Sequence, residues 1–379
     1  MVETERPATY VPSAQGFNTG GFTYDHWMES IGIPIHRGYY VEDLRTIPLG
    51  RWEQRECDAC FIQLSGQEGV SEARVSELRP GATLPPLKFA VDEAVYVASG
   101  RGLTTVWTDD VSTKKTFEWQ EHSMFLIPRG YWHQISNARG DQPARLLHYN
   151  YLPVAMSAVQ DPDFFFNNPT AQPRTPALGD ELYSAAKEMR REGVQRGGVF
   201  WMGNFFPDMR AWDKLVPFYG RGAGGHVVRV SFPGSEMSGH MSVFPARTYK
   251  RAHRHGPGRV IVIPAGEGFS VLWQEGQEKI VVPWHECSMF VPPNRWFHQH
   301  FNVGADRARY LAMHPLPQFF GRSESVEDRV RDQIDYSAEE PWIREKFESE
   351  LAKRGIKSDM PEEAYRTRNY EWKYEDAAE

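Results

Sequence analysis

The sequence has little cysteine and no concentrated basic charge. Three cysteines among 379 residues cannot form a disulfide framework, and an odd number of thiols favours a reducing compartment, so the cytoplasm is the expected location. A formal net charge of -7 with scattered Lys and Arg argues against a nucleic-acid-binding face. No stretch approaches the roughly 18 apolar residues of a membrane span, and the N-terminus lacks the apolar core of a secretory signal. We therefore expect neither export nor membrane insertion.

The remaining composition is that of an ordinary globular protein. With 40% hydrophobic and 25% charged residues, the chain is long enough for two domains with substantial cores. Cys57 and Cys60 form a single CxxC pair. Such a pair forms half of a zinc site or a redox couple, but no second pair accompanies it, so we interpret both as ordinary thiols.

An internal repeat at a spacing of about 165 residues organises the chain. The segment GYYVEDLR from Gly38 returns as GNFFPDMR from Gly203. A longer segment, SMFLIPRGYWHQISN from Ser123, returns as SMFVPPNRWFHQHFN from Ser288. The repeat covers residues 38–153 and 203–317, which we interpret as two copies of one domain.

Each copy consists of short segments that are rich in β-branched and aromatic residues and are separated by Gly and Pro, as in EAVYVASG and VIVIPAGEG. Many short strands without intervening helices predict an all-β fold of two antiparallel barrels. Around them we expect an N-terminal arm (1–37), a helical linker (154–202) and a helical C-terminal extension (318–379). The linker helix is predicted in ELYSAAKEMRREGV, and the C-terminal helix follows a capping-box pattern at Ser337–Glu340 and stops near Gly355.

Imidazoles are concentrated in one place. His253 and His255 lie in YKRAHRHGPGR, and His298 and His300 lie in RWFHQHFN. Residues two apart in a strand point to the same face, so each pair projects into one interior if these segments are strands. Imidazole nitrogen binds divalent iron, nickel, copper, manganese and zinc, so the pattern predicts a mononuclear metal site with open positions.

These residues carry a resemblance to the cupin superfamily. The segment Pro128–Asn137 matches its second motif, P-x-G-x-x-H-x-x-x-N, and Pro293–Asn302 matches with Arg295 in place of the glycine. The run from His253 to Gly266 is similar to the first motif, H-x-H followed by an acidic residue and a glycine. The resemblance implies two jelly-roll barrels and a metal held by His253, His255 and His298.

Two departures from the family pattern distinguish the barrels. Arg259 replaces the acidic ligand of the second barrel, which leaves three histidines without a carboxylate. The first barrel keeps Glu93 and His133 but has Lys88 and Ala90 at the positions of the paired histidines. We therefore expect it to bind no metal, to pair Glu93 with Lys88, and to serve a structural role.

The resemblance is closest in kind to bicupins of the gentisate 1,2-dioxygenase type, which use a three-histidine iron centre. It implies an Fe(II) dioxygenase that uses dioxygen to cleave a C–C bond of a small hydroxylated aromatic or dicarbonyl-like acid, and a homodimer or larger homo-oligomer. The alternatives are a redox-neutral lyase, isomerase or decarboxylase with Ni, Mn or Zn, and a metabolite-binding bicupin without turnover.

Four further residues are candidates for the site. We expect Arg259 to hold a substrate carboxylate through its planar guanidinium, and His300 to act as an acid/base or to support a ligand; a solvated arginine and a core histidine are the alternatives. Phe269 and Trp273 alternate on one predicted strand and would line a cavity for a flat substrate, although core packing explains them equally well.

Overall fold

The computed structural model describes residues 21–173, 181, 183–190, 199–211, 215–321, 331–368 and 370–374. Its α-helices are α1 (Thr23–Ser30), α2 (Leu152–Ala158) and α3 (Pro341–Ala352). None of these helices is long and apolar enough to cross a bilayer. The first twenty residues of the expected arm lie outside the described residues. Its described part forms α1, which packs Tyr24 and Met28 into the core of the first barrel.

Among the described residues 21–173, the structure forms twelve strands. They are β1 (Ile35–Gly38), β2 (Tyr40–Val41), β3 (Gly50–Trp52), β4 (Cys57–Leu64), β5 (Glu72–Leu78), β6 (Leu87–Lys88), β7 (Glu93–Ser99), β8 (Arg101–Trp107), β9 (Lys115–Gln120), β10 (Met124–Ile127), β11 (Trp132–Asn137) and β12 (Ala144–Asn150). Buried and accessible residues alternate along β8 and β11, as expected of strands with one face in a core.

The described second half contains fourteen strands. They are β13 (Lys187–Arg190), β14 (Val199–Met202), β15 (Phe205–Phe206), β16 (Val216–Pro217), β17 (His226–Ser231), β18 (Ser238–Phe244), β19 (Ala252–His253), β20 (Val260–Ala265), β21 (Gly268–Trp273), β22 (Ile280–Trp284), β23 (Met289–Phe290), β24 (Phe297–Asn302), β25 (Ala308–His314) and β26 (Gln333–Ile334).

Strand order confirms the two-barrel fold. In the first half, a sheet containing β5-β12-β7-β10 accompanies a sheet of β6-β11-β8-β9. In the second half, β18-β25-β20-β23 accompanies β22-β21-β24-β19. Both orders are that of an eight-stranded jelly roll, the architecture of cupin barrels. Because the two halves repeat the same non-sequential order, they are copies of one unit.

The two barrels exchange their opening strands. β2 pairs with β23 of the second barrel, and β15 pairs with β10 of the first. Equivalent serines secure the exchange, since Ser123 Oγ donates to Pro207 O and Ser288 Oγ donates to Glu42 O. The boundaries at 38 and 203 describe the duplicated unit, whereas the sheets assign each exchanged strand to the other barrel.

Two helix predictions need correction. Within the segment predicted as a linker helix, Lys187–Arg190 forms a strand that pairs with β14. The edge of the sheet supplies hydrogen-bond partners for its backbone, and this tertiary context outweighs the helix propensity of the segment. Residues 191–194 lie outside the described residues. A helix of the linker lies earlier instead, as α2. The C-terminal helix begins at Pro341 with Glu340 as its cap, because Ser337 belongs to a separate short turn capped by Asp335.

The buried cysteines do not form a reactive pair. Cys57 belongs to the core of the first barrel, whereas Cys60 faces the apolar core shared by both barrels. Residues three apart in a strand point to opposite faces, which separates the two thiols. Burial raises the pKa of Cys57 to about 11 and that of Cys60 to about 12, so both are ordinary protonated thiols.

Candidate metal centre

Three imidazoles converge inside the second barrel. Antiparallel pairing of β19 with β24 places His253 directly opposite His298, and His255 follows two residues later. All three side chains are buried, and one possible ligand atom of each lies within 4.8 Å of the others. Ring centroids are 4.2 Å apart for His253 and His298 and 4.6 Å apart for His255 and His298. The structure therefore brings together the three residues that the sequence predicts as ligands.

The protonation state of these rings suits a metal. The Nδ1 atoms of His253, His255 and His298 contact the backbone carbonyls of Arg251, Gly256 and Trp296 at 3.3, 2.7 and 3.2 Å. A carbonyl only accepts, so each Nδ1 carries the proton and each Nε2 keeps a lone pair. Burial lowers the pKa of all three rings, that of His298 to about 3, which keeps them neutral. Three neutral imidazoles with oriented lone pairs fit a divalent metal.

The turn before β24 carries the departure from the family motif. Arg295 has φ 61°, the left-handed region that glycine adopts without strain, and Gly130 has φ 75° at the equivalent turn. The Arg295 guanidinium contacts Asp332 and donates to Gly321 O at 3.0 Å. These contacts hold a non-glycine residue in the turn that leads into His298.

His300 lies beside the triad rather than within it. Its ring centroid is 5.5 Å from that of His298 and 6.2 Å from that of His253. Its Nδ1 is hydrogen-bonded to Ser270 Oγ at 2.8 Å, and Trp284 Nε1 donates to the same hydroxyl at 3.1 Å. The ring is thus anchored to a neighbouring strand by a hydroxyl, not by the backbone carbonyl of an ordinary core histidine.

Arg259 is buried next to the triad. It directly precedes β20, is 7% exposed, and its guanidinium lies 6.0 Å from the centroid of the Phe320 ring. Burial is the largest cause of the lowered pKa of His255, and the positive charge of Arg259 is the next largest; the same charge also lowers the pKa of His298. The alternative of a solvated arginine is therefore wrong.

A buried lysine and tyrosine extend the site, and sequence reasoning missed them. Lys250 Nζ donates to Ser242 Oγ and, at 3.3 Å, to Tyr310 OH. Burial lowers the pKa of Lys250; in Tyr310 burial is outweighed by the ammonium, which lowers the pKa of the phenol. The Tyr310 ring centroid is 5.1 Å from that of His300. Spacing in the sequence could have indicated part of this group. Ser242 is two residues from His240 on β18, and Tyr310 is four residues from His314 on β25, so each lies on the same strand face as a histidine.

Those two histidines form a second polar pair. His240 Nδ1 and His314 Nε2 are 2.7 Å apart, so one ring donates to the other. Burial lowers the pKa of His240, and His314 and Arg259 lower it further. The interior of the second barrel is therefore polar and positively charged on the side of the triad. Apolar side chains also line this interior, including Phe244, Ile263, Leu272 and Trp284, and Leu272 lies directly opposite His298.

Phe269 and Trp273 do not line this interior, which corrects the expectation for them. Register pairs Ser270 with His300, so Ser270 shares the inner face and its neighbours on β21 face outward. Phe269 stacks on Phe301 with centroids 4.5 Å apart, and both belong to the cluster that packs against α3. The C-terminal extension supplies the apolar surface that buries them.

The first barrel holds a closed ionic network in place of the triad. Glu93 pairs with Arg74 and, at 2.8 Å, with His148, whereas Lys88 pairs with Asp109 at 3.0 Å. The predicted pair of Glu93 with Lys88 is therefore wrong, because Arg74 on β5 reaches the carboxylate across the intervening strand β12. His133 is buried, and burial lowers its pKa to about 3.

Comparisons with known proteins give distant structural likeness. No protein-family model matches the chain, and no curated protein sequence matches it. A salicylate 1,2-dioxygenase from Pseudaminobacter salicylatoxidans is 14% identical with a TM-score of 0.48, covering 65% of this chain and 71% of that one. A deletion mutant of Bacillus subtilis oxalate decarboxylase is 13% identical with a TM-score of 0.44, covering 73% and 76%. An oxalate decarboxylase–formate complex from Lactobacillus farciminis is 13% identical with a TM-score of 0.45, covering 76% and 88%.

Proposed function

We propose that this protein, with its two jelly-roll barrels of the cupin type, is a metal-dependent enzyme that acts on a small organic acid. The observation that carries the proposal is the convergence of three buried, neutral imidazoles whose Nδ1 atoms are tied to backbone carbonyls. His253, His255 and His298 would hold the metal. Fe(II) is our first choice, and Ni, Mn or Zn are the alternatives that histidine ligands also accept.

The charge around the triad supports an anionic substrate. In addition to burial, the positive charges of Arg221 and Arg259 lower the pKa of the triad rings, and that of Lys250 lowers the pKa of His300 beside them. Cationic groups therefore surround a ligand set that carries no charge of its own. A carboxylate that enters this interior would offset the buried positive charge. Arg259 is the group we assign to it, since a guanidinium binds a carboxylate through two parallel hydrogen bonds.

The reaction we favour is oxidative cleavage of a C–C bond in a hydroxylated aromatic or dicarbonyl-like acid, with dioxygen as co-substrate. When bound, Fe(II) supplies Lewis-acid polarisation of substrate oxygens and the electrons for dioxygen chemistry. The protein's own residues orient the acid through Arg259 and exclude water through the apolar end of the barrel. To His300, anchored by Ser270, we assign the role of taking a proton from a substrate hydroxyl.

A redox-neutral decarboxylase is the second candidate, and the Lys250–Tyr310 pair favours it. In decarboxylation the C–C bond to the carboxylate breaks, CO₂ leaves, and the electron pair stays on carbon until a proton is delivered there. Tyr310, with its pKa lowered beside the buried ammonium, is suited to deliver that proton. Lys250 would then stabilise the phenolate that remains.

The test begins with metal analysis of the purified protein, followed by anaerobic loading with Fe(II). Oxygen consumption and CO₂ release are then measured on a panel of phenolic and dicarbonyl acids. Oxygen uptake matched to substrate loss supports the dioxygenase, and CO₂ release without oxygen uptake supports the decarboxylase. A protein that binds metal but turns over none of these acids would contradict both.

Replacement of the substrate-binding arginine tests its assignment. We expect Arg259→Leu to raise KM for a carboxylate substrate by roughly 30–140-fold, because a lost buried charge pair costs about 2–3 kcal/mol and 1.4 kcal/mol is a factor of ten. Arg259→Lys keeps the charge and should recover part of the loss. Arg101→Leu, at an exposed arginine of the first barrel, is the control. An unchanged KM in Arg259→Leu would remove this residue from the substrate site.

A further inference from the structure

Two equivalent turns of the repeat meet where the barrels join. Glu121 and His122 lie between β9 and β10, and Glu286 and Cys287 lie between β22 and β23. His122 and Cys287 have the same backbone conformation, with φ 65° in both. One turn comes from each barrel, so any ligand shared by them would bridge the two halves of the chain.

His122 presents a buried nitrogen to this junction. Its side chain is 0% exposed, and its Nδ1 is hydrogen-bonded to Tyr96 OH at 2.6 Å. Its Nε2 forms no hydrogen bond with any residue that the structure describes. The nearest carboxylate oxygens, on Glu286 and Glu121, are 3.6 and 3.8 Å away, too far for a hydrogen bond. A buried imidazole nitrogen aimed at two carboxylates without bonding either indicates a missing partner.

We propose that Glu121, His122 and Glu286 bind a divalent transition-metal ion that joins the two barrels, at a site separate from the three-histidine centre. Their ligand atoms lie within 4.8 Å of one another. Ligand atoms at about 2.0–2.1 Å from a tetrahedral ion lie roughly 3.3 Å apart. The oxygens of Glu286 and Glu121, at 3.6 and 3.8 Å from His122 Nε2, would need to move only a few tenths of an ångström to reach that spacing. One imidazole with two carboxylates suits Zn²⁺, Mn²⁺, Fe²⁺ or Co²⁺, with water completing the coordination.

The charge at the junction matches a divalent cation. Asp43 pairs with Arg45 at 2.8 Å, and Asp208 pairs with Arg210 at 3.1 Å. Those four charges cancel, which leaves the two glutamates. Arg45 contacts Glu286 Oε1 at 3.2 Å, and this is the same oxygen that lies 3.6 Å from His122 Nε2. A metal ion would therefore share that oxygen with Arg45 or bind the second oxygen of the Glu286 side chain, which is 38% exposed. Burial, followed by Arg210, lowers the pKa of His122, which keeps the ring neutral as a ligand.

The test separates this site from the triad by using a full-length variant in which His253, His255 and His298 are all replaced by alanine. Metal-free protein is titrated calorimetrically with ZnCl₂ and, in parallel, with CoCl₂ while visible absorption is recorded. We expect two equivalents of metal in the unaltered protein and one in the triad variant. Bound Co²⁺ should give d–d absorption in the triad variant, and Zn²⁺ should raise its melting temperature.

Glutamine replacements then locate the ion. Adding Glu121→Gln and Glu286→Gln to the triad variant should weaken Zn²⁺ binding by at least 100-fold and abolish the melting shift. Both glutamates are solvent-accessible, so folding, checked by circular dichroism, should be unaffected. Glu118→Gln, on the exposed face of β9, is the control. The proposal is overturned if the triad variant binds no metal, or if its remaining metal is indifferent to the two glutamine replacements.

Discussion

Arg74 neutralises two carboxylates at the centre of the first barrel, and Arg74→Met is the most direct test of the structural role of that barrel. Its guanidinium donates to Glu72 and, at 2.5 Å, to Glu93, and both carboxylate side chains are 0% exposed. Asn150 and His148 complete the network at 3.1 and 2.8 Å. Methionine preserves most of the side-chain length while removing the charge.

The expected loss follows from what the variant leaves behind. One buried cation now pairs with two buried carboxylates, and its removal leaves both without a counter-ion. Breaking a buried ion pair by deleting one partner costs about 3–5 kcal/mol, because the remaining charge has neither water nor a counter-ion. The volume change from arginine to methionine adds about 1 kcal/mol or less. We therefore expect a loss of about 3–5 kcal/mol in the free energy of unfolding at neutral pH.

The pH dependence should change sign. In the unaltered protein burial acts to raise the pKa of Glu93, but Arg74 and His148 outweigh it and hold that pKa well below the usual value. This contribution to stability is present above the unfolded pKa of about 4.3 and is lost as pH falls. Burial already raises the pKa of Glu72 in the unaltered protein. Without Arg74, only His148 and Asn150 oppose the burial of Glu93, so we expect the pKa of Glu93 to rise above 4.3 as well. Stability of Arg74→Met should then fall as pH rises from about 4.3, so the two proteins differ least near pH 4.

Urea unfolding at several pH values between 4 and 8, followed by circular dichroism, measures both effects. Arg79→Met is the matched control, because Arg79 is 64% exposed and its ion pair with Asp58 is 3.6 Å long, a contact worth about 1 kcal/mol or less. Metal content should be unchanged in both variants, since the triad lies in the other barrel. A loss below 1 kcal/mol in Arg74→Met, or a pH profile parallel to that of the unaltered protein, would refute the network as the element that stabilises the first barrel.

Three further predictions concern the second barrel. His298→Ala should weaken metal binding by roughly 10²–10³-fold, about 2.5–4 kcal/mol for one ligand, while His133→Ala at the equivalent position of the first barrel leaves it unchanged in calorimetric titration; equal losses would contradict the assignment. Burial raises the pKa of Glu339 to about 8, so stability should fall as pH rises from about 4.3 to 8, and Glu339→Gln should flatten that fall in thermal melts. Phe347→Ala should lower the free energy of unfolding, measured in urea, by about 3–5 kcal/mol, because the buried ring packs on Tyr249 with ring centroids 4.9 Å apart. A loss under 1 kcal/mol would contradict the packing of α3 against the barrel.

Local sequence pattern predicted which histidines come together in the second barrel. His253 and His255 are two residues apart, and His298 occupies the histidine position of a motif that the other repeat carries in full. The predicted meeting of the two histidine segments depended on the resemblance to cupins, which implies a jelly-roll barrel in which these segments lie close together. The inward direction of a strand residue follows from period-two geometry once one residue on that strand is known to face inward.

The same periodicity misplaced Phe269 and Trp273, because alternation shows that residues share a face but not which face is inside. The C-terminal extension decided that point by covering one side of β21 with α3. The partner of Glu93 was equally undetermined, since Lys88 and Arg74 are both cations on nearby strands and only the folded sheet fixes which one reaches the carboxylate.

The sequence by itself determined the duplication, the all-β class and the histidines that we propose as metal ligands, because each of these follows from repeated segments or from spacing within a few residues of chain. Only the tertiary structure decided the exchange of β2 and β15, the pairing of Lys250 with Tyr310, and the junction of Glu121 and His122 with Glu286. Each of those contacts joins segments far apart in the chain, and which distant groups meet depends on how strands pair and faces become covered, which no local pattern records.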